Sequence, residues 1–206
     1  MAVAMKDLEI RGAGNLLGGE QSGHIADVGF DLYVRLVSEA VEEVRSGGEA
    51  TAEVVIKVEL PVDAHLPHDY LPDERLRLEA YRRLANARTN DEADQVVEEL
   101  IDRYGALPKP VAALISIAQL RVLLQSAGIT EVIAAGKSVK LSPVELPESR
   151  VMRLNRLYPG SSIKPASRTI VVPRTRDEML GTTQDNSADD LVGWVTALVT
   201  SVVLEA

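Results

Sequence analysis

Two consecutive helices in the middle of the sequence have start and stop signals that strongly constrain the fold. Residues 89–92, Thr-Asn-Asp-Glu, form a capping box in which the threonine oxygen and the glutamate carboxylate accept hydrogen bonds from free backbone N–H groups. The capped helix ends at Gly105, because glycine permits a left-handed exit. Pro108 and Pro110 then open a helix that runs to Gly128. The sequence therefore predicts a helical centre.

Each predicted helix carries apolar residues at 3.6-residue spacing and is expected to bury one stripe. An additional helix begins at Asp73, after a loop that contains Pro61, Pro67 and Pro72. The predicted buried residues are Leu76, Ala80, Leu84 and Ala87 in that helix; Ala93, Val96, Val97, Leu100, Ile101 and Tyr104 in the capped helix; and Val111, Leu114, Ile115, Ala118, Val122 and Leu123 in the third.

Strands are predicted on either side of this helical centre. Residues 51–60 alternate apolar and charged side chains, as in a half-buried strand. Residues 129–134 and 138–141 indicate a hairpin around Gly136-Lys137, and residues 169–172 a further strand. Helices are predicted at 148–158 and over the apolar stripe that ends at Val202. This segregation of strands and helices predicts the α+β class.

The first 48 residues differ from the rest of the chain. Residues 1–30 are rich in glycine, and residues 31–45 have helical apolar spacing that stops at Gly47-Gly48. We therefore predict two units. Residues 1–48 form a helical N-terminal appendage, and residues 49–206 form a compact domain of helices packed on a small, mainly antiparallel sheet.

Composition limits the classes of function. The 206 residues carry a net charge of −9, which argues against a polyanion as the main partner. The absence of cysteine excludes disulfides, thiol catalysis and thiolate metal sites, and it is compatible with a cytoplasmic location. The longest uncharged apolar run, 192–204, is shorter than the ~20 residues that cross a bilayer, so no membrane partner is expected.

Two sequence patterns invite a catalytic or cofactor-binding interpretation, and both are weak. Gly12, Gly14 and Gly18 have the wrong spacing for a dinucleotide fold, and no Gly-Lys-Ser or Gly-Lys-Thr occurs to hold ATP. His65 and His68 have the spacing of a metal pair, yet the prolines around them favour a solvated loop over a metal-dependent hydrolase. We therefore expect neither ATP hydrolysis nor a metal site in this chain.

The capped helix has an acidic face opposite its apolar stripe. Glu98, Glu99 and Asp102 lie there, and the i, i+3 spacing brings Glu99 and Asp102 side by side. The simplest interpretation is a solvated surface. The alternative is a docking site, since two adjacent carboxylates on a rigid helix can each accept hydrogen bonds from an arginine of a partner.

Several longer segments resemble the transcription-repair coupling factor (Mfd) family. They are residues 7–23, 29–33 (Gly-Phe-Asp-Leu-Tyr), 70–73 (Tyr-Leu-Pro-Asp), 78–84 and 99–108 (Glu-Leu-Ile-Asp-Arg-Tyr-Gly-Ala-Leu-Pro). The resemblance covers about the first two thirds of the chain. RecG branch-migration enzymes share only the first of these segments.

The resemblance implies a fragment that runs from the end of a translocation motif (1–48) into a C-terminal regulatory domain. In such proteins a motor that uses ATP and Mg moves along DNA and dislodges a stalled RNA polymerase, and an N-terminal UvrB-like module recruits UvrA. The regulatory domain masks the UvrA site, and the family's contact with the UvrB-like module falls on Glu99 and Asp102. Its translocation-coupling residues fall on Arg11 and Gln21. No cofactor is expected in the fragment itself.

Two further expectations concern the first 48 residues. In an alternative function, Arg11 and its glycine-rich turns would contact duplex DNA as the coupling element of a RecG-like helicase. Separated from a motor, residues 1–30 would expose the apolar side chains of Leu8, Ile10, Leu16, Leu17 and Phe30. We therefore predict disorder or self-association between copies through residues 1–48.

Overall fold

The computed structural model describes residues 56–174 and 188–204, within which it has five α-helices and five β-strands. The helices are α1 (Glu74–Asn86), α2 (Asn90–Tyr104), α3 (Lys109–Ser126), α4 (Glu148–Leu157) and α5 (Ala188–Leu198). The strands are β1 (Lys57–Glu59), β2 (Glu131–Ala135), β3 (Ser138–Ser142), β4 (Ser162–Lys164) and β5 (Thr169–Pro173). A π-helical segment, Val199–Leu204, follows α5.

The strands form one sheet in the order β1-β2-β3-β5-β4. Of these strand pairs only β1–β2 is parallel, and α1, α2 and α3 form the long crossover connection that a parallel pair requires. The predicted hairpin is present, with Ala135 paired to Ser138 around Gly136, whose φ of 59° suits glycine. The α+β class and the mainly antiparallel sheet are confirmed, whereas the short strand β4 had no sequence prediction.

Helices cover one face of the sheet. The buried sheet residues come from alternate positions of β2, β3 and β5: Val132, Val139, Leu141, Ile170 and Val172. Helix α3 packs against α1, α2 and α5, and it is buried on nearly all sides. The predicted single stripe of α3 was therefore too narrow, since Ala113, Ile117, Leu120 and Leu124 are buried as well.

The buried face of α1 differs from the predicted apolar stripe. Leu76 is 36% exposed, whereas Tyr81 and Arg77 are buried beside Ala80 and Leu84. Both unexpected residues bond to the preceding loop. The Tyr81 hydroxyl accepts the N–H of Leu66 at 2.7 Å, and the Arg77 guanidinium donates to the carbonyl of Leu71 at 3.1 Å. These bonds satisfy polar groups that are buried on the same side of the helix as Ala80 and Leu84.

The buried face of α2 is narrower than predicted. Ala93, Val96 and Leu100 are buried, as expected, but Ile101 is 46% exposed. Ile101 lies about 100° around the helix from Leu100, which places it beside the stripe. The prediction that Ile101 is buried was therefore wrong.

Some expectations lie beyond the described residues. The domain boundary between residues 48 and 49 remains a prediction, as do the appendage and its self-association. The strand predicted at 51–60 is seen as Lys57–Glu59, with residues 51–55 outside the described range. Among the residues that the structure describes, no helix combines the length and apolar character required to cross a membrane.

Candidate functional site

The helix that carries the acidic face, α2, is fixed at both ends. At its start the Thr89 hydroxyl accepts the N–H of Glu92 at 3.2 Å, and the Glu92 carboxylate accepts the N–H of Arg88 at 2.7 Å. At its end Gly105 adopts a φ of 85°, and its N–H donates to the carbonyl of Ile101 at 2.9 Å. The predicted threonine cap and glycine exit are confirmed, whereas the Glu92 carboxylate bonds to the N–H of Arg88, before the helix, and not to a donor of the helix itself. With both ends held, the outer face of α2 is a rigid platform.

Glu99 is held on this platform by two arginines. The Arg83 guanidinium, from α1, donates to Oε2 of Glu99, and the Arg103 guanidinium lies 2.9 Å from Oε1. We call Arg83, Glu99 and Arg103 the arginine clamp. The Glu99 side chain is 39% exposed, so the clamp lies at the surface with its carboxylate partly accessible.

The clamp favours the ionised form of Glu99. The hydrogen bond from Arg83 is the largest cause that lowers the pKa of Glu99, and the positive charges of Arg83 and Arg103 lower it further. Partial burial opposes them by raising this pKa, but the net shift is downward. Glu99 is therefore a carboxylate at neutral pH, with a fixed orientation.

Asp102 follows Glu99 at i+3 on the same helix and is exposed. The helical spacing places the two carboxylates on neighbouring positions of one face, as predicted. Within the described part of the chain, Asp102 forms no ion pair, in contrast to Glu99. The two acids are therefore unequal: one is held by arginines of its own domain, and the other is open to a partner.

A small cavity of about 220 Å³ adjoins the clamp between α1 and α2. Its lining includes the acids Glu79 and Glu99, the arginines Arg83 and Arg103, and the side chain of Leu76. Because Leu76 is partly exposed, it offers apolar surface next to these four charged groups. This combination suits a side chain with an aliphatic stem and a charged end, such as arginine.

Comparison with known proteins identifies the family. The family model described as "TRCF domain" matches residues 60–154. The transcription-repair-coupling factor of Mycobacterium tuberculosis (strain CDC 1551 / Oshkosh) is 50% identical over 213 residues, which cover 98% of this chain. The protein of the same name from Escherichia coli (strain K12) is 46% identical over 132 residues, 62% of the chain. The chain belongs to the transcription-repair coupling factor family.

A solved structure supports this assignment at the level of fold. The crystal structure of the C-terminal domain of a transcription-repair coupling factor matches 73% of this chain and 96% of its own chain, with a TM-score of 0.54 and 19% identity. The chain therefore has the fold of this C-terminal domain. It spans 17% of the length of the mycobacterial relatives and 12% of the Escherichia coli protein.

The predicted site residues of the coupling-factor domain fall in two regions. Glu99 and Asp102 lie within the part that matches the family model, on α2. Arg11 and Gln21, the predicted translocation-coupling residues, lie outside the described residues, so their role stays a prediction. The docking role of Glu99 and Asp102 is likewise a prediction, now with a defined geometry.

The histidines predicted to lie in a solvated loop are placed by the structure. His68 is exposed, and Nδ1 of His65 lies 2.8 Å from Oδ1 of Asp63. Within residues 56–174 and 188–204, no three His, Asp or Glu side chains are grouped so that they could hold a metal ion.

Sequence reasoning missed the two arginines of the clamp. Arg103 could have been found, because a glutamate four residues before an arginine on one helix favours an ion pair. Arg83 could not, since it lies on another helix, and its approach to Glu99 depends on how α1 packs against α2.

Proposed function

We propose that this chain is a non-catalytic regulatory domain of a DNA-translocating transcription-repair coupling factor. In this proposal, the domain masks the UvrA-binding surface of an N-terminal UvrB-like module elsewhere in the same protein. UvrA then competes for the masked surface, while RNA polymerase and DNA are partners of the whole protein. ATP and Mg act in the motor, and this domain requires no cofactor.

The observation that carries the proposal is the pair of unequal acids on the outer face of α2. Asp102 is exposed and can accept a guanidinium directly. Glu99 has one bond to each carboxylate oxygen, and a carboxylate offers about four lone-pair sites. A basic partner can therefore add to the arginine clamp without first breaking it.

The clamp also limits the cost of docking. A free glutamate side chain loses rotamer freedom when a partner fixes it, whereas Glu99 is already held by Arg83 and Arg103. The exposed apolar surface of Leu76 lines the cavity beside these charges and can pack against the stem of a partner arginine.

Long-range attraction at the site is weak, because two acids and two arginines give no net charge over Glu99, Asp102, Arg83 and Arg103. The contact therefore depends on direct hydrogen bonds at short range. We expect specificity for arginine over lysine at the partner's contact, since only arginine presents a planar pair of donors to a carboxylate.

Titration of the chain against the isolated UvrB-like module tests the proposal. Glu99→Arg together with Asp102→Arg places like charges against the basic partner, and each 1.4 kcal/mol lost weakens binding tenfold. We expect the double variant to bind about 100-fold more weakly. UvrA should displace the unmodified chain from the module.

A matched control separates the site from bulk charge. Asp63→Arg together with Glu145→Arg makes the same change in net charge at two exposed loop positions away from α2. This control should keep its affinity for the module, and circular dichroism should show both double variants folded. Equal affinities of the α2 variant and the unmodified chain would remove the proposed contact.

A further inference from the structure

One segment of this acidic chain has a net positive charge. Residues 137–174 contain eight Lys and Arg and only two acidic residues, a net charge of +6 in a chain whose net charge is −9. This segment includes β3, α4, β4 and β5. The proposed docking site on α2 uses none of it.

The strand register places part of this charge on the open face of the sheet. Val139 and Leu141 of β3 and Ile170 and Val172 of β5 are buried against the helices, so the alternate residues face away from the core. Ser162 pairs with Val171 and Lys164 with Thr169, which places both β4 residues on the same side. We call this side the outer face of β3, β5 and β4. Its members are Ser138, Lys140, Ser142, Ser162, Lys164, Thr169, Val171 and Pro173.

Two lysines lie on this face, Lys140 opposite Val171 in the middle and Lys164 at one end. Arg168 precedes β5 at that end, and Lys137 lies in the hairpin turn at the other end, so these two cations flank the face. Arg174 joins that end, because its N–H donates to the carbonyl of Lys137 at 2.8 Å. Five strand residues cover about 14 to 17 Å, and the phosphates of one DNA strand are about 3.4 Å apart along the helix axis. The face is therefore as long as four or five phosphates.

Most of these cations are available to a ligand. Within the described residues, Lys137, Lys140 and Lys164 form no ion pair, and all three are exposed. Arg168 has an acidic neighbour, Glu145, at 3.5 Å, but its side chain remains 60% exposed. The Ser142 hydroxyl donates a hydrogen bond to the carboxylate of Glu131 on β2, so the positive surface ends at β2.

We propose that the outer face of β3, β5 and β4 binds the phosphate backbone of duplex DNA without reading its sequence. Lysine, arginine and hydroxyl side chains are the groups that contact DNA phosphates, and they account for most of this face. Of its outward-facing residues, none is aromatic, so stacking of single-stranded bases is not available. The same lack of large aromatic anchors disfavours a protein partner.

The net charge of −9 argued against a polyanion because it was counted over the whole chain, whereas the positive surface is local. A protein contacts DNA locally, and charges beyond a Debye length, about 8 Å at physiological salt, are largely screened. The acidic surface of α2 therefore weakens DNA binding most at low ionic strength but does not prevent a local contact. This proposal does not depend on the docking of Glu99 and Asp102.

Fluorescence anisotropy of a short labelled DNA duplex with the full chain tests the proposal. With about four phosphates neutralised, log Kobs should fall with log salt with a slope near −4. Lys140→Glu together with Lys164→Glu should weaken binding at least about tenfold at low salt and reduce the slope to about −2. Lys140→Gln together with Lys164→Gln should give a smaller loss in the same direction.

The controls distinguish a site from general charge. Arg82→Glu together with Arg156→Glu makes the same charge change at exposed residues of α1 and α4, and it should leave DNA affinity within about twofold. An equal loss in this control, or no binding of the unmodified chain at low salt, would overturn the proposal.

Competition tests the identity of the ligand. Displacement of the duplex by polyglutamate as readily as by unlabelled DNA would also overturn the proposal, because it would indicate an acidic polypeptide partner. Glu99→Arg with Asp102→Arg should not weaken DNA binding, which separates the two proposals.

Discussion

The arginine clamp predicts a measurable coupling between α1 and α2. The perturbation is a double-mutant cycle of Arg83→Met and Glu99→Gln, two changes that retain side-chain length while removing charge. Both side chains are 39% exposed, so solvent screens their attraction, and the coupling should be that of a surface pair. We expect a coupling energy of about 0.5 to 1 kcal/mol. This lies at the upper end for surface pairs, because the guanidinium donates a charge-assisted hydrogen bond.

Arg103 provides an internal comparison. It pairs with Glu99 on the same helix at i, i+4, an arrangement that contributes about 0.3 to 0.5 kcal/mol. The cycle of Arg103→Met with Glu99→Gln should therefore give a smaller coupling energy than the cycle with Arg83. Loss of Glu99 alone should lower the free energy of unfolding by about 1 kcal/mol, since two arginines lose their shared partner.

The pH dependence of this coupling follows from the pKa of Glu99, which is lowered in the folded protein. The stabilisation is complete above the pKa of a glutamate in the unfolded chain, about 4.3, where Glu99 is ionised in both states. It decreases as the pH falls below that value and is lost as the pH passes through the lower pKa of the folded state. Urea unfolding of the four proteins of the cycle, at neutral pH and near pH 4, measures the change.

Two results would refute this reasoning. A coupling indistinguishable from zero at neutral pH and low salt would show that Arg83 and Glu99 do not interact in solution. A coupling that stayed constant as the pH fell below the ordinary glutamate pKa would show that the carboxylate charge is not its source. Moderate salt should reduce the coupling, because exposed pairs are screened.

Three further predictions test the support of the site. Tyr81→Phe should lower the free energy of unfolding by about 1 to 3 kcal/mol in urea, because the buried N–H of Leu66 loses its acceptor. Gly105→Ala should lower it by at least about 1 kcal/mol, since the residue holds a φ of 85°, and a gain in stability would contradict the assigned exit of α2. Leu124→Ala should lower it by about 2 to 5 kcal/mol, whereas Met152→Ala, at a residue that is 74% exposed, should change thermal unfolding little.

Local signals predicted most of the fold. The Thr89 cap, the Gly105 exit and the hairpin at Gly136 depend on residues close in sequence, and all three are confirmed. Apolar spacing did not predict the buried face where a polar side chain is buried and bonded to a residue outside its own helix. Arg77 was missed for that reason, because its acceptor is the carbonyl of Leu71, whose position depends on the folded loop.

The candidate site was predictable only where residues close in sequence decide its geometry. Helical spacing alone placed Glu99 and Asp102 together on one face of α2, and the structure keeps both at the surface. Spacing could not show that Arg83 crosses from α1, so the two acids appeared equivalent when they are not. The outer face of the sheet was missed because net charge was counted over the whole chain, whereas strand register determines which lysines share a surface.

The separation of charge in this domain has a consequence for any partner that binds it. A basic partner finds Asp102 open on α2, whereas Lys140 and Lys164 on the outer face of the sheet repel it. A phosphate backbone on α2 would meet the open carboxylate of Asp102, but the two arginines of the clamp leave this group without net charge. The exclusion therefore acts in one direction: the outer face of the sheet disfavours the basic partner proposed for α2, because that partner faces like charges there. A basic partner is thus directed to α2 and away from the surface proposed for DNA, so docking and DNA contact would remain separable within one domain.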